Sequence, residues 1–392
     1  GAWNADSVAL VDSAGHTVVS VAHASAAISA RALLGGDLRL GVVIVDGVRA
    51  LLEQRADGSW NVDHLARKRT GAPALAGPRR SIVADSVVLR DGRMDLLALD
   101  TNRALPKVRR VFSSIDLALG RTILSSPDSA GGWAPLRAMR LAIDNPPVTL
   151  VSASGGVRWW SDSLRLDIPV FRLPASRATV SGVVAWPSGT ALRLALDIRA
   201  DSVSVADVRW MTTLFPTEGT ASARVAVRSA PGGAVRYDVQ AFDLRAAASR
   251  VSGSLAITPG RRTQVRDLAL DLQPLDLALV RNVFGDTILK PAWRGAISGR
   301  VVGRGGTLDS LLIDTVRATY DDARVRGARS HFAAAGAIDV AGTGTRLIGM
   351  AVRIDSLDVR TLGAVAKVAD SLHGALAGRV TLDGPTKDLV FH

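Results

Sequence analysis

Aliphatic and charged residues alternate one by one along much of this chain, and that period of two limits the fold more than any other feature. In Leu192-Arg193-Leu194-Ala195-Leu196-Asp197-Ile198-Arg199 the aliphatics hold one face and the charges the other. The pattern recurs in Leu38-Arg39-Leu40, Ile115-Asp116-Leu117-Ala118-Leu119, Leu164-Arg165-Leu166-Asp167-Ile168, Arg224-Val225-Ala226-Val227-Arg228 and Asp267-Leu268-Ala269-Leu270-Asp271-Leu272. A strand sends successive side chains to opposite faces, so each run makes one dry and one wet face, as in an antiparallel sheet. Turn chemistry punctuates the runs at Asp57-Gly58, Asp91-Gly92, Gly232-Gly233, Pro259-Gly260, Gly305-Gly306 and Asp383-Gly384, which read as hairpin turns.

The polar residues agree. Glu occurs only at Glu53 and Glu218, and Lys only at Lys68, Lys107, Lys290, Lys367 and Lys387. Those straight-chain residues normally fill exposed helix faces. Here Asp, Ser, Thr, Arg and Gly take their place, which suits strands and turns. Helical spacing is confined to Val205–Phe215, Leu277–Phe284 and Val359–Leu372, with one or two further turns at Asn61–Arg67. The expected fold is all-β: a repetitive, elongated, curled antiparallel sheet, groove-like, with a few short helices.

Those helices sit inside an internal repeat. Val203-Ser204-Val205, Leu275-Asp276-Leu277 and Leu357-Asp358-Val359 lie 72 and 82 residues apart. Each precedes a short helical stretch and then a strand led by Gly219, Gly295 or Gly374, and these starts are 76 and 79 residues apart. Two anchors with compatible spacing point to stacked strand-rich units. The expected organisation is an amino-terminal β unit over 1–70, a sheet continuation over 71–200, repeats at 201–274 and 275–356, and a third repeat cut short at 357–392.

Several function classes fall away. A net charge of +12 invites nucleic acid, but most of the charge is single Arg residues scattered along strands, with no aromatics interleaved to stack bases. A basic surface against anionic lipid explains it equally well. No cysteine is present, so disulfides and thiolate metal sites are excluded. His16, His23, His64, His331, His373 and His392 form no His-Glu-x-x-His, no Gly-x-Ser-x-Gly elbow occurs, and Gly303-Arg304-Gly305-Gly306 lacks a phosphate loop's Lys-Ser/Thr and reads as a hairpin turn. No catalytic residue, cofactor or metal is expected. The conspicuous tryptophans, Trp133, Trp159-Trp160, Trp186, Trp210 and Trp293, form either a belt at a membrane or groove rim or ordinary sheet packing. No run of 18 apolar residues occurs.

The strand reaching Leu52, the Asp57-Gly58 turn and the following Trp60-Asn61 are similar to the start of AsmA-like proteins. The Leu-Asp-Leu, short helix and Gly-strand repeat, with Gly378-Arg379-Val380-Thr381-Leu382-Asp383-Gly384, resembles AsmA and TamB bodies. The resemblance covers most of the chain through degenerate patterns. It implies a periplasmic protein of Gram-negative bacteria, held in the inner membrane by an anchor upstream of this chain. Its open β-groove would carry phospholipid toward the outer membrane. It also implies an alternative role as a scaffold or chaperone for outer-membrane protein assembly or autotransporter secretion, with an outer-membrane β-barrel as partner.

The residues themselves allow such a groove, because an aliphatic sheet face must be covered by another sheet, by helices or by a ligand. Phospholipid acyl chains would serve, each buried methylene contributing about 0.8 kcal/mol. The residues expected to line it are Leu192, Leu194, Leu196, Ile198, Val225, Val227, Leu268, Leu270 and Leu272. Their neighbours Arg193, Asp197, Arg224, Arg228, Asp267 and Asp271 should face water. A self-filled β-sandwich would use the same side chains. A surface adhesin or carbohydrate-binding solenoid is a third reading, for which aromatic platforms and metal loops are missing.

Overall fold

A computed structural model describes residues 2–12, 15–28, 38–54, 60–62, 81–98, 108–125, 131–160, 162–187, 192–211, 216–229, 234–260, 262–284, 293–307, 309–341, 344–366, 373–385, 388 and 390–392. Among them are 22 strands and three short α-helices, so the chain is all-β. It divides into two units, residues 1–196 and 197–392. The segments expected at 1–70 and 71–200 fall in the first unit but for its last four residues, and the three expected repeats fall in the second.

The first unit holds β1 (Ala2–Val11), β2 (Thr17–Ile28), β3 (Leu38–Asp46), β4 (Arg49–Glu53), β5 (Ile82–Ala98), β6 (Val108–Leu119), β7 (Thr122–Ser125), β8 (Gly132–Ile143), β9 (Val148–Trp159), β10 (Ser163–Arg172), β11 (Arg177–Ala185) and the start of β12 (Arg193–Ser204). Most neighbours are antiparallel, but β3 and β4 both pair in parallel with β5. The expected antiparallel sheet therefore includes one parallel insertion at β5. Parallel strands require a long crossover, which the chain between 54 and 81 supplies. One apolar row crosses nine strands: Ala5, Ala24, Val45, Leu89, Leu117, Met139, Ala153, Phe171 and Ala178 are directly opposed in turn. Leu136, Leu150, Ala153 and Ile168 form the buried cluster on this sheet.

The second unit continues from β12 through α1 (Val205–Val208) and a 3₁₀ turn at Arg209–Met211 into β13 (Thr220–Ser229), β14 (Val235–Ala246), β15 (Ser249–Thr258) and β16 (Gln264–Asp276). Then come α2 (Leu277–Phe284), β17 (Gly295–Thr307), β18 (Ser310–Asp322), β19 (Arg329–Ala341), β20 (Gly344–Asp358), α3 (Val359–Ala366), β21 (Ala375–Pro385) and β22 (Val390–Phe391). From β13 to β22 every strand pairs antiparallel with the next. Four strands and a helix therefore make one repeat, and the strand order is the same in both full copies.

A local device fixes the period. Asp276 ends β16 and its carboxylate accepts the backbone N–H of Ala278 (2.8 Å), capping α2, while its own N–H donates to Ser249 Oγ (2.9 Å). Asp358 repeats both contacts, with Arg360 N–H (2.9 Å) and Ser330 Oγ (3.2 Å). The bulge before the cap recurs too: the register shifts between Leu272 and Leu275, and between Ile354 and Leu357. Bulges add bend and twist to a sheet, and here they meet glycine. A Cβ on Gly299, where φ is +150°, would lie 2.1 Å from the Arg317 carbonyl oxygen.

Three expected turns are strand instead. Asp91-Gly92 lies within β5, Gly305-Gly306 within β17 and Asp383-Gly384 within β21. Asp91 has φ +48° and Gly305 +107°, so the positive φ that a hairpin would need serves irregular strand backbone here. The Asp57-Gly58 and Gly232-Gly233 turns lie outside the described residues. α2 matches its expected bounds. The helix expected from Val205 runs only to Val208 before tightening to 3₁₀, and α3 is described to Ala366; residues 212–215 and 367–372 lie outside the described residues, as do 63–67 of the turn expected at Asn61–Arg67. Asn61 is itself buried and pins the chain to β4, donating to Leu51 O (2.8 Å) and accepting from Glu53 N–H (3.0 Å).

Candidate functional site

The strongest candidate is the apolar face of the second unit. Directly opposed residues on neighbouring strands share a face. One row runs Ala223, Phe242, Gly253, Leu270, Val301, Val316, Ala334, Val352 and Val380 across β13 to β21. A second, two residues away on each strand, runs Ala221, Leu244, Val251, Leu272, Gly299, Ala318, Phe332, Ile354 and Gly378. No polar side chain interrupts either. Eight inter-strand steps make each row about 38 Å long. That exceeds the ~15 Å depth of one bilayer leaflet's hydrocarbon, so a whole acyl chain fits along it.

Between these rows, on the opposite face, lie Ser222, Asp243, Ser252, Asp271, Arg300, Arg317, Ala333, Arg353 and Arg379. Part of this charge is paired: Arg250 grips Asp243 through two hydrogen bonds (2.9 and 2.8 Å), and Arg353 meets Asp355 at 2.7 Å. Hydrogen bonding from Arg250 holds the Asp243 carboxyl below its ordinary range.

Of the expected lining residues, Leu270 and Leu272 sit in the two rows. Val225 opposes Val239, Val227 opposes Tyr237 and Leu268 opposes Gly303. Val227 and Leu272 are buried, while Val225, Leu268 and Leu270 are half-buried. Leu194 and Leu196 belong to the first unit and Ile198 to the second; all three are half-buried, with Arg193, Asp197 and Arg199 exposed between them. Leu192 precedes β12 and is 53% exposed. Arg224 and Asp267 are exposed, and Arg228 and Asp271 are half-buried. Not expected as lining were Val301, Val316, Val352 and Val380 with Phe332 and Ile354. Val301 and Val380 occupy the repeat position of Val225, a signal available in the Gly-led strands.

These rows are not sealed. Every residue of the first row is half-buried. Beside the rows lies an apolar hollow of about 330 Å³, lined by Trp293, Tyr320, Phe332, Val352, Ile354 and Leu357 among others. Trp293 meets Tyr320 edge-on with ring centroids 5.6 Å apart. The Tyr320 hydroxyl donates to Arg294 O (2.6 Å), and burial pushes its pKa up.

An ion pair braces the nearby structure. The Asp322 side chain is fully covered and takes a two-point contact from Arg324 (3.0 and 2.7 Å), whose Nη1 also donates to Ala364 O in α3 (3.1 Å). Burial pushes the Asp322 carboxyl upward, but hydrogen bonds from Arg324 outweigh it and leave the pKa lowered.

Among the described residues no group of three His, Asp or Glu side chains could hold a metal, and no helix is long and apolar enough to cross a membrane. No family model, no curated protein and no solved structure matches the chain.

Proposed function

We propose that this chain is a non-enzymatic segment of a cell-envelope protein whose apolar sheet face carries phospholipid acyl chains between inner and outer membrane. One observation supports this most: two uninterrupted apolar rows cross nine strands, and every residue of the first stays half-covered. An aliphatic lining without polar partners holds a chain through dispersion and burial alone. That favours sliding over tight, selective binding. Catalysis plays no part in this reading. The periplasmic setting and the upstream membrane anchor come from the resemblance to AsmA and TamB bodies.

The experiment is to place a charge in the rows. Leu270→Arg puts a strongly hydrated group in the acyl path, and Val316→Arg does the same on β18. In an open groove the guanidinium reaches solvent, so lipid transfer should stop while the melting temperature stays within a few degrees. In a closed sandwich the buried charge would cost several kcal/mol and unfold the unit. A collapsed melting transition for both variants would overturn the conduit.

A further inference from the structure

In the first unit, strands β7 to β12 bring exposed large apolar residues from distant parts of the chain to one end of the sheet. Ile123 opposes Trp133, and Gly132 opposes Trp159. The Trp160 N–H donates to Ser163 O (2.8 Å) and the Trp186 N–H to Asp162 O (2.7 Å), so both tryptophans flank the same turn between β9 and β10. Leu192 stands at the start of β12. Ile123, Trp133, Trp160, Trp186 and Leu192 are between 38% and 53% exposed.

Arginines gather beside these tryptophans. Arg165 opposes Arg158, and Arg158 opposes Trp133, so two guanidiniums and an indole stand side by side. Arg158, Arg165 and Arg193 are all exposed, and none makes an ion pair among the described residues. Arg172 and Arg177 at the other end of β10 and β11 are likewise opposed and exposed, so the tryptophans beside the arginines are what set this end apart. Among the described residues the acid at the β9–β10 turn of this rim is Asp162.

An indole combines an apolar ring with one N–H donor, which suits the boundary between headgroups and hydrocarbon. Unpaired arginines beside it add attraction to anionic headgroups. A folded partner protein would need a shaped complementary surface, whereas tryptophans standing off both faces of one sheet end suit a fluid one. We infer that this tryptophan–arginine rim is a membrane-contact edge that seats in the interfacial layer of an anionic phospholipid bilayer. The contact is independent of acyl-chain passage along the second unit.

The test uses the whole chain and vesicles of phosphatidylcholine with or without phosphatidylglycerol, some brominated near the headgroup end of the acyl chain. The protein should bind the anionic vesicles and its tryptophan emission should be quenched by the bromines. Trp133→Ser, Trp160→Ser and Trp186→Ser together should weaken binding about tenfold. Arg158→Gln and Arg193→Gln should each remove about fivefold, seen only with anionic lipid. Absent quenching in the parent protein overturns the inference, which needs no variant to fold. So does full binding by a triple variant that melts like the parent. Acyl crosslinking from Leu270 to monomeric short-chain lipid needs no vesicle, so the conduit and the rim fail separately.

Discussion

In residues 197–392 each long strand that ends in an Asp cap hands over to a short helix in the same way, whereas in residues 1–196 no helix occurs among the described residues and two strands run parallel to a third. Both units use the same alternation and both carry an apolar row across nine strands. They differ in what sets the strand order. In the second unit a local device, aspartate cap plus serine lock, resets the chain at α2 and again at α3, while Ser204 before α1 makes no side-chain cap. In the first, the order depends on pairings such as Leu38 with Ile82, across a long crossover. Regularity in this protein is a matter of local hydrogen bonds, while the apolar face is common property of both units.

The largest effect should come from the glycines that admit a neighbouring strand's backbone. A Cβ on Gly299 in the second unit, or on Gly155 in the first, would lie 2.1 Å from a carbonyl oxygen, at φ near +150° in both. Each Gly→Ala change should cost about 3 kcal/mol or more in urea melts. Gly378, the repeat counterpart of Gly299, has nothing within 4 Å of its would-be Cβ. Its alanine variant should stay within about 0.5 kcal/mol of the parent. Equal costs at 299 and 378 would mean that backbone approach does not govern these sites.

A smaller effect, confined to the second unit, is expected from Asp322→Asn. It removes the partner of Arg324 and loosens the clasp on α3. The cost should be about 2 kcal/mol, below the range for wholly buried pairs because the Arg324 side chain is 20% exposed. The paired carboxylates also set an acid limit. The pKa values of Asp243, Asp322 and Asp358 are lowered in the fold. Their contribution is therefore complete above the unfolded aspartate value of about 3.9 and is lost as pH falls through the folded values. Melts from pH 7 downward should stay flat to about pH 4 and then drop; a decline beginning near pH 6 would point to other groups.

The smallest effect tests the repeat itself. In an Arg360→Gln background, which removes the ion pair that Asp358 makes and that Asp276 lacks among the described residues, Asp276→Ala and Asp358→Ala should each cost about 1 kcal/mol, the ordinary worth of a helix N-cap. Similar values at both would support equivalent roles in the two copies. A clear difference would make the period one of pattern rather than of mechanism.

How far the sequence carried follows from where the physics is local. The bounds of α2 were readable because Asp276, the apolar spacing after it and its terminus all lie within a dozen residues. Asp91-Gly92 misled for a physical reason: a hairpin turn and a strand bulge both ask for positive φ, and the residues cannot say which ladder continues past them. The parallel pairing of β3 with β5 was hidden because alternation looks the same whichever way the neighbour runs. Leu270 and Leu272 were found from their own strand, but their row partners Val316 and Val352 depend on register. The rim of Trp133, Trp160 and Trp186 needs β8 to β11 assembled before it exists.

The central claim is that the apolar face of the second unit is open and takes acyl chains while the opposite face does not. Val316 and Arg317 are adjacent on β18 and belong to opposed rows, so they form an internal control. A photo-crosslinking residue at each position, irradiated with phospholipid bound, measures this directly. The account predicts lipid adducts from position 316 and none above background from position 317. Equal labelling at both, or none at 316 in a protein that melts like the parent, would contradict it.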